Sequence, residues 1–335
     1  MGYLLMKFKS MSDATARQEF LRNPTTGISL FLILVIFGSI TANSTFLNIE
    51  NLRNIAVQAS LLAVLAFGMT FVIAIAGLDL SVGSTVALSA LISAQVSNHL
   101  GLLAGLTAGV FVGGIVGVIN GLITSKWSVP SFITTLGISQ IVRGGSLLEV
   151  HGGSVSVGDK GFMAYGGSMF LGVPYLVWTM IAAFSVLYYL LHFTAFGRHV
   201  IGVGGNEHAS RSAGIATSRL VILVYVLSGA MAGLSGSMLS AQIGTVDGSL
   251  GIGLELNVIA VVVLGGASLS GGFAYLGNTL ISAILIASID ASLNVLNVPS
   301  YYQYLTTGVL LIIALSLNSL PKTRKIKKMA VESDG

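Results

Sequence analysis

Four acidic side chains stand within or at the edge of strongly apolar stretches of this chain: Asp79, Glu255 and Asp290, with Glu149 at a boundary. Arg143 is the nearest basic counterpart. An ionised group near the centre of a bilayer costs about 3 kcal/mol on insertion scales, so it faces a cavity, a helix terminus or a partner. Such acids could border a polar pathway for a hydroxylated solute, or serve as proton or sodium sites of a self-sufficient ion-coupled transporter. Local structure offers a third role. Asp79 precedes Ser81 and Val82, whose amides its carboxylate could accept as a helix cap. Glu255 follows Gly251 and Gly253 at the start of an apolar run, where an acid suits the positive end of a helix. Asp290 lies deeper in its run and is the least explained by capping.

Other chemistries find no support. Gly204-Gly-Asn-Glu207 is followed by no Lys-Ser or Lys-Thr at phosphate-loop spacing, and no Gly-x-x-x-x-Gly-Lys occurs anywhere, so the chain is not expected to hydrolyse ATP. The five histidines, at 99, 151, 192, 199 and 208, lack the spacing of a helical metal site, and none is expected. No cysteine is present, which excludes disulfides and thiolate chemistry. Serines are frequent, but no Gly-x-Ser-x-Gly elbow accompanies them, so no catalytic set can be assembled.

The elements that would carry these residues follow from composition. Of 335 residues 54% are hydrophobic and 8% charged, against about a quarter charged in soluble domains. The mean hydropathy is +0.89. The 42 glycines fit membrane helices, which use small residues for close packing. About ten spans are expected in an all-α membrane protein, near 27–43, 55–76, 80–98, 101–124, 130–148, 174–192, 219–240, 255–271, 273–295 and 303–319. Gly77 and Gly83 flank a stretch that reads either as a turn or as an unwound segment within the membrane. With both termini cytoplasmic, thirteen of the sixteen Lys and Arg residues fall on that side, leaving Arg53, Arg143 and Lys160 near or in the opposite loops. The organisation expected is a cytoplasmic segment 1–26, a membrane domain 27–319 and a basic cytoplasmic tail 320–335. The first apolar run is read as a retained span. The loop 149–173 reads as a flexible outer connection, and Tyr301 and Tyr302 as an outer aromatic anchor. Gly77-Leu-Asp-Leu-Ser-Val-Gly83 is echoed 189 residues later by Gly266-Ala-Ser-Leu-Ser-Gly-Gly272, as in an internal repeat or by chance in a glycine-rich chain.

Several segments together resemble the ribose, xylose and galactoside permeases of bacterial ATP-binding cassette importers, closest to ribose-type permeases. They are Phe46-Leu-Asn-Ile-Glu-Asn-Leu-Arg-Asn-Ile55, Gly68-Met-Thr70, Gly77 to Ser84, Pro130-Ser-Phe-Ile-Thr-Thr-Leu-Gly137, Gly197-Arg198, Gly204 to Glu207, Ser212-Ala-Gly-Ile215, Leu264 to Gly272 and Ser300-Tyr-Tyr-Gln303. The resemblance covers most of the chain. It implies a multi-pass protein of the bacterial inner membrane, paired with a second permease subunit, identical or related, and embedded in lipid. Two cytoplasmic ATP-binding subunits would power it, and an extracytoplasmic sugar-binding protein would deliver a monosaccharide. The permease itself would hold no cofactor, ATP being used by its partners, and would bind no nucleic acid. By the same resemblance the basic loop 193–218 is the coupling segment, with Arg198, Gly205, Asn206, Glu207 and Arg211 as candidates for ATPase contact; for the arginines, fixing topology is the simpler alternative. Pathway candidates are Asp79, Ser81, Glu255, Asn257 and Asp290. Two positions depart from the ribose-type pattern: Leu78, where isoleucine is common, and Asn257, where an aspartate often stands, so the identity of the sugar is less determined than the mechanism.

Overall fold

The computed structural model describes residues 44–299 and, beyond them, Tyr302, Leu305, Thr306, Gly308, Val309 and Ile312. The expected span 27–43, most of 303–319, Tyr301 and both termini lie outside the described residues. A short 3-10 turn, Ser44–Leu47, leads into α1 (Ile49–Ala74), α2 (Val82–Leu100), α3 (Leu102–Lys126) and α4 (Ser131–Glu149). The connection that follows holds β1 (Ser154–Ser156), α5 (Lys160–Gly167), β2 (Met169–Phe170) and β3 (Val173–Pro174). Then come α6 (Tyr175–Phe193), the short pair α7 (Ala195–Gly205) and α8 (Glu207–Ser212), α9 (Thr217–Ile243), β4 (Thr245–Asp247), α10 (Leu254–Leu264) and α11 (Leu276–Val295).

Among the described residues, five helices are long and apolar enough to cross a membrane: α1, α3, α6, α9 and α11. Helices α2 and α4 have 19 residues each but are more polar. Several of their hydroxyls bond inside the bundle: Ser93 Oγ donates to the Gly105 carbonyl, and Ser146 Oγ to that of Val142. Helix α2 is accordingly buried over most of its length.

Helix α3 carries glycine at 105, 109, 113, 117 and 121, one per turn on a single face. From Gly109 to Gly121 that face lies along α9, the partner it packs against most extensively, while Gly105 meets Ser93 and Ser97 of α2 and Phe162 of α5. A Cβ on Gly113 would collide with the Gly229 carbonyl, and one on Gly229 with the Gly113 carbonyl, so the two backbones touch without side chains between them. In lipid, where hydrophobic exclusion does not drive helix pairing, such close approach is what holds helices together.

Two expectations are corrected. The span expected at 255–271 is helical only over Leu254–Leu264, because Gly266 turns into the left-handed region at φ +86° and ends it. The all-α class is relieved by two short antiparallel pairs: β1 pairs with β4, joining Ser154 to Asp247, and β2 pairs with β3. The connection expected to be flexible is anchored as well: Asn98 of α2 donates to the Ser156 carbonyl at 2.9 Å and accepts the Gly158 amide at 2.6 Å, and Asp159 accepts the Phe162 amide at 2.7 Å as the cap of α5.

Candidate functional site

The segment between α1 and α2 is unwound, and its backbone is satisfied by neighbouring side chains. Helix α1 ends in a Schellman closure: the Ala76 amide donates to Ile73 and that of Gly77 to Val72, with Ala76 at φ +60°. The extended residues that follow run along α4. The Leu78 amide donates to Ser131 Oγ at 3.1 Å and the Leu80 amide to Thr135 Oγ1 at 3.0 Å. The spacings match physically: two extended residues advance about 6.6 Å and four helical residues about 6 Å. Tyr225 of α9 donates its hydroxyl to the Leu78 carbonyl at 3.2 Å. Irregular backbone at membrane depth persists only when protein supplies such partners. The stretches Gly77 to Ser84 and Pro130 to Gly137 are therefore two sides of one contact.

Asp79 sits in the middle of this unwound segment, 1% exposed. Its Oδ1 accepts the Ser81 amide at 3.1 Å and the Ser81 hydroxyl at 2.6 Å, and its Oδ2 accepts the hydroxyl of Ser228, on α9, at 2.9 Å. Ser81 Oγ in turn accepts from Asn120 Nδ2 of α3 at 2.7 Å. The expected cap is thus an Asx turn one step before α2, extended into a buried knot joining α2, α3 and α9. Neither Asp79 nor Ser81 is among the lining residues of the two cavities described below.

The other pathway candidates are elsewhere. Asn257 and Asp290 line one cavity of about 170 Å³ between α1, α9, α10 and α11. A single water centre needs about 10–15 Å³, so the cavity holds several. Gln58 and Ser235 complete its polar wall, while Leu61, Leu62, Leu65, Leu239, Leu254 and Ala287 form the rest. Ser235 donates to the Leu61 carbonyl at 3.0 Å. Asp290 is partly buried and has no hydrogen bond or ion pair among the described residues. Glu255 lies in the first turn of α10, as expected for the positive end of a helix, and its carboxylate rests against Gly83 at the start of α2. A Cβ on Gly83 would collide with Glu255 Oε2.

Arg143 pairs with backbone rather than directly with an acid. Its guanidinium donates to the carbonyls of Gly248, at 2.9 Å, and Leu250, pinning the loop that leads into α10 onto α4. In that loop Asp247 accepts the amide and hydroxyl of Ser249, which hold its carboxyl below the ordinary carboxylate range. Glu149 accepts from Gln95 Nε2 at 3.2 Å.

At the other end of the bundle, Arg198, Gly205, Asn206, Glu207 and Arg211 are all exposed, whereas Gly197, Val200, Val203 and Gly204 of α7 are buried. Asn206 caps α8 through its side chain, which accepts the Ala209 amide at 2.9 Å. Glu207 and Arg211 form an ion pair of 2.7 Å one turn apart. Both border a polar cavity of about 300 Å³ that also touches Ile75, Gly77, Ser131 and Tyr225, so α8 and the unwound segment share a cavity.

Sequence reasoning missed Gln58, Asn120, Ser228 and Ser235. Gln58 left a trace as an amide inside an apolar helix; the two serines are indistinguishable in sequence from the many that bond their own helix. The residue types at this site can solvate hydroxyls and hold an unwound segment in place.

Residues 51–315 match the family model described as the permease component of branched-chain amino acid transport systems. The chain is 38% identical over 294 residues to the ribose import permease protein RbsC of Bacillus subtilis, covering 87% of this chain and 91% of that one. It is 36% identical to the ribose import permease protein RbsC of Escherichia coli K12, covering 87% and 92%. It is 35% identical to the L-arabinose ABC transporter permease protein AraH of Azospirillum brasilense, covering 89% and 88%. No solved structure matches the chain.

Proposed function

The chain belongs to the family of permease components of branched-chain amino acid transport systems, and we propose that its cargo is a monosaccharide, ribose-like or related, carried into the cytoplasm. It is a membrane permease subunit of an ATP-binding cassette importer, a class that works with ATPase subunits and a solute-binding protein. Its place is the bacterial inner membrane. Two permease subunits, identical or related, enclose the passage. The sugar-binding protein delivers at the outer face, and the cytoplasmic ATPases engage the exposed residues of 198–211. Their closure upon ATP moves that segment and reorients the packed permeases, alternating access to a transient polar passage.

The observation that carries the solute reading is the cavity bordered by Gln58, Asn257 and Asp290, with a carboxyl that no group among the described residues satisfies. Burying a polar side chain without a partner is costly. A polyhydroxylated solute, or the water it replaces, supplies the missing donors. Asp79 and Ser81 then serve to hold the unwound segment, and Glu255 to seat α10 against α2.

The test is ATP-dependent uptake in vesicles holding permease, ATPase and binding protein, run over ribose, arabinose, xylose and galactose. One or two of these sugars should accumulate, and collapse of the proton gradient should leave the rate unchanged. Uptake of none of them, or uptake that stops with the gradient, would refute the reading.

A further inference from the structure

Helix α7 meets both interruptions of the membrane helices at one residue. Gly204 is buried at the end of α7; a Cβ there would collide with the Ala74 carbonyl and stand 2.7 Å from the Gly272 amide nitrogen. The Gly272 amide donates to that same Ala74 carbonyl at 2.9 Å. A Cβ on Gly271 would stand 2.6 Å from the Gly204 carbonyl and 2.9 Å from the Ala76 amide nitrogen. Ala74 is the last residue of α1, before the unwound segment that holds Asp79. Gly271 and Gly272 belong to the corresponding interruption between α10 and α11.

The two interruptions are built alike. After α10 the Gly266 amide donates to Val263 and that of Ala267 to Val262, repeating the closure after α1, with Gly266 where α1 has Ala76. These closures correspond one residue out of step with the 189-residue offset of the glycine-serine stretches. Three backbones therefore meet with no side chain between them. Immediately after Gly204 come Gly205, which is exposed, and Asn206, which caps α8. Side-chain contacts can absorb a small displacement by changing rotamer; directly packed backbones have no such slack, and close-packed contacts transmit strain.

We propose that Gly204 is the positioning residue through which movement of α8 reaches the membrane helices: the end of α7, the end of α1 and the segment around Gly272 move as one body, so that both interruptions respond to the ATPase together. The proposal rests on the reading of 193–218 as the coupling segment. It names the contact that passes the motion on, not the one that receives it.

Two measurements test it, both on the full complex in vesicles. In Gly204→Ala the ATPase should remain bound and hydrolyse ATP, while sugar taken up per ATP hydrolysed falls about tenfold, a coupling loss of ordinary size between sites. Gly202→Ala is the control, since its Cβ would meet only Ser210 Oγ, at 3.6 Å. An unchanged ratio of uptake to hydrolysis in Gly204→Ala overturns the proposal. The second measurement does not depend on that variant folding. The chain has no cysteine, so spin labels can be placed at Gly202→Cys and Ser270→Cys, both exposed positions. Their distance should be the same without nucleotide and with the ATPases trapped closed; a changed distance means that α7 slides past the second interruption, and the proposal fails. If no ATPase is recovered with the unmodified permease, the coupling reading itself falls, an outcome distinct from either of these.

Discussion

Asp79 and Asp290 are both carboxyls set among packed helices, and their surroundings are opposite. Asp79 is sealed from solvent and spends both oxygens on donors from its own segment and from α9. Asp290 borders a cavity, and among the described residues neither a donor nor a cation stands against it. A satisfied buried carboxylate is an architectural element, because its removal strands the groups that it accepts. An unsatisfied one beside a cavity has its acceptor capacity left over, and that capacity is available to whatever enters. Two acids that look alike in sequence thus divide into one that holds the frame and one that faces a cavity.

Replacing Asp79 should have the largest effect. Asp79→Ala strands the Ser81 amide and two hydroxyls, and should cost about 2–4 kcal/mol of stability, counting interhelical hydrogen bonds at their modest bilayer values plus the orphaned donors. The check is the thermal midpoint of the purified protein in detergent, followed by size exclusion. A protein as stable as the parent but inactive in uptake would break the comparison, making Asp79 a transport residue.

Asp290→Asn should do the reverse. With no partner to lose, the fold should keep its thermal midpoint, while sugar uptake at limiting substrate falls about tenfold, equivalent to about 1.4 kcal/mol. Uptake unchanged alongside unchanged stability would show that the cavity lies off the passage. A large drop in stability would show that Asp290 is as structural as Asp79.

How far the sequence foretells this arrangement depends on the kind of signal. Seven expected spans fall on helices, α1, α2, α3, α4, α6, α9 and α11, with α1 starting six residues earlier than expected. Five of them, α1, α3, α6, α9 and α11, are long and apolar enough to cross a membrane, because apolar runs of that length have few alternatives. The early end of α10 was hidden: Ala267 is buried like the helix before it, so hydropathy continues past the point where Gly266 turns the backbone. The glycine row of α3 is visible at four-residue spacing, yet only the structure identifies α9 as its partner. The cap at Asp79 was legible because its first donor is two residues away, but Ser228 is 149 residues distant and carries no local mark. The cavity is least legible of all. Gln58, Asn257 and Asp290 come from three helices, and which apolar helix rotates which face toward another is a property of packing, not of any one segment.

The smallest expected effect concerns the backbone beside Asp79. If the unwound segment is held by hydroxyls from α4 as well as by the carboxylate, then removing one hydroxyl should loosen it by a fraction of what Asp79→Ala does. Thr135→Val keeps the shape of the side chain and removes the acceptor for the Leu80 amide, for a cost of about 1 kcal/mol. Thr135→Ser restores the oxygen and should recover most of that stability. Hydrogen exchange at Leu80 would report the change locally: faster in Thr135→Val, near parental in Thr135→Ser, with residues of the α3–α9 seam unaffected in both. Equal protection of Leu80 in all three proteins would mean that Asp79, Ser131 and Tyr225 fix the segment without Thr135, and that the match between two extended residues and one helical turn contributes nothing to holding it.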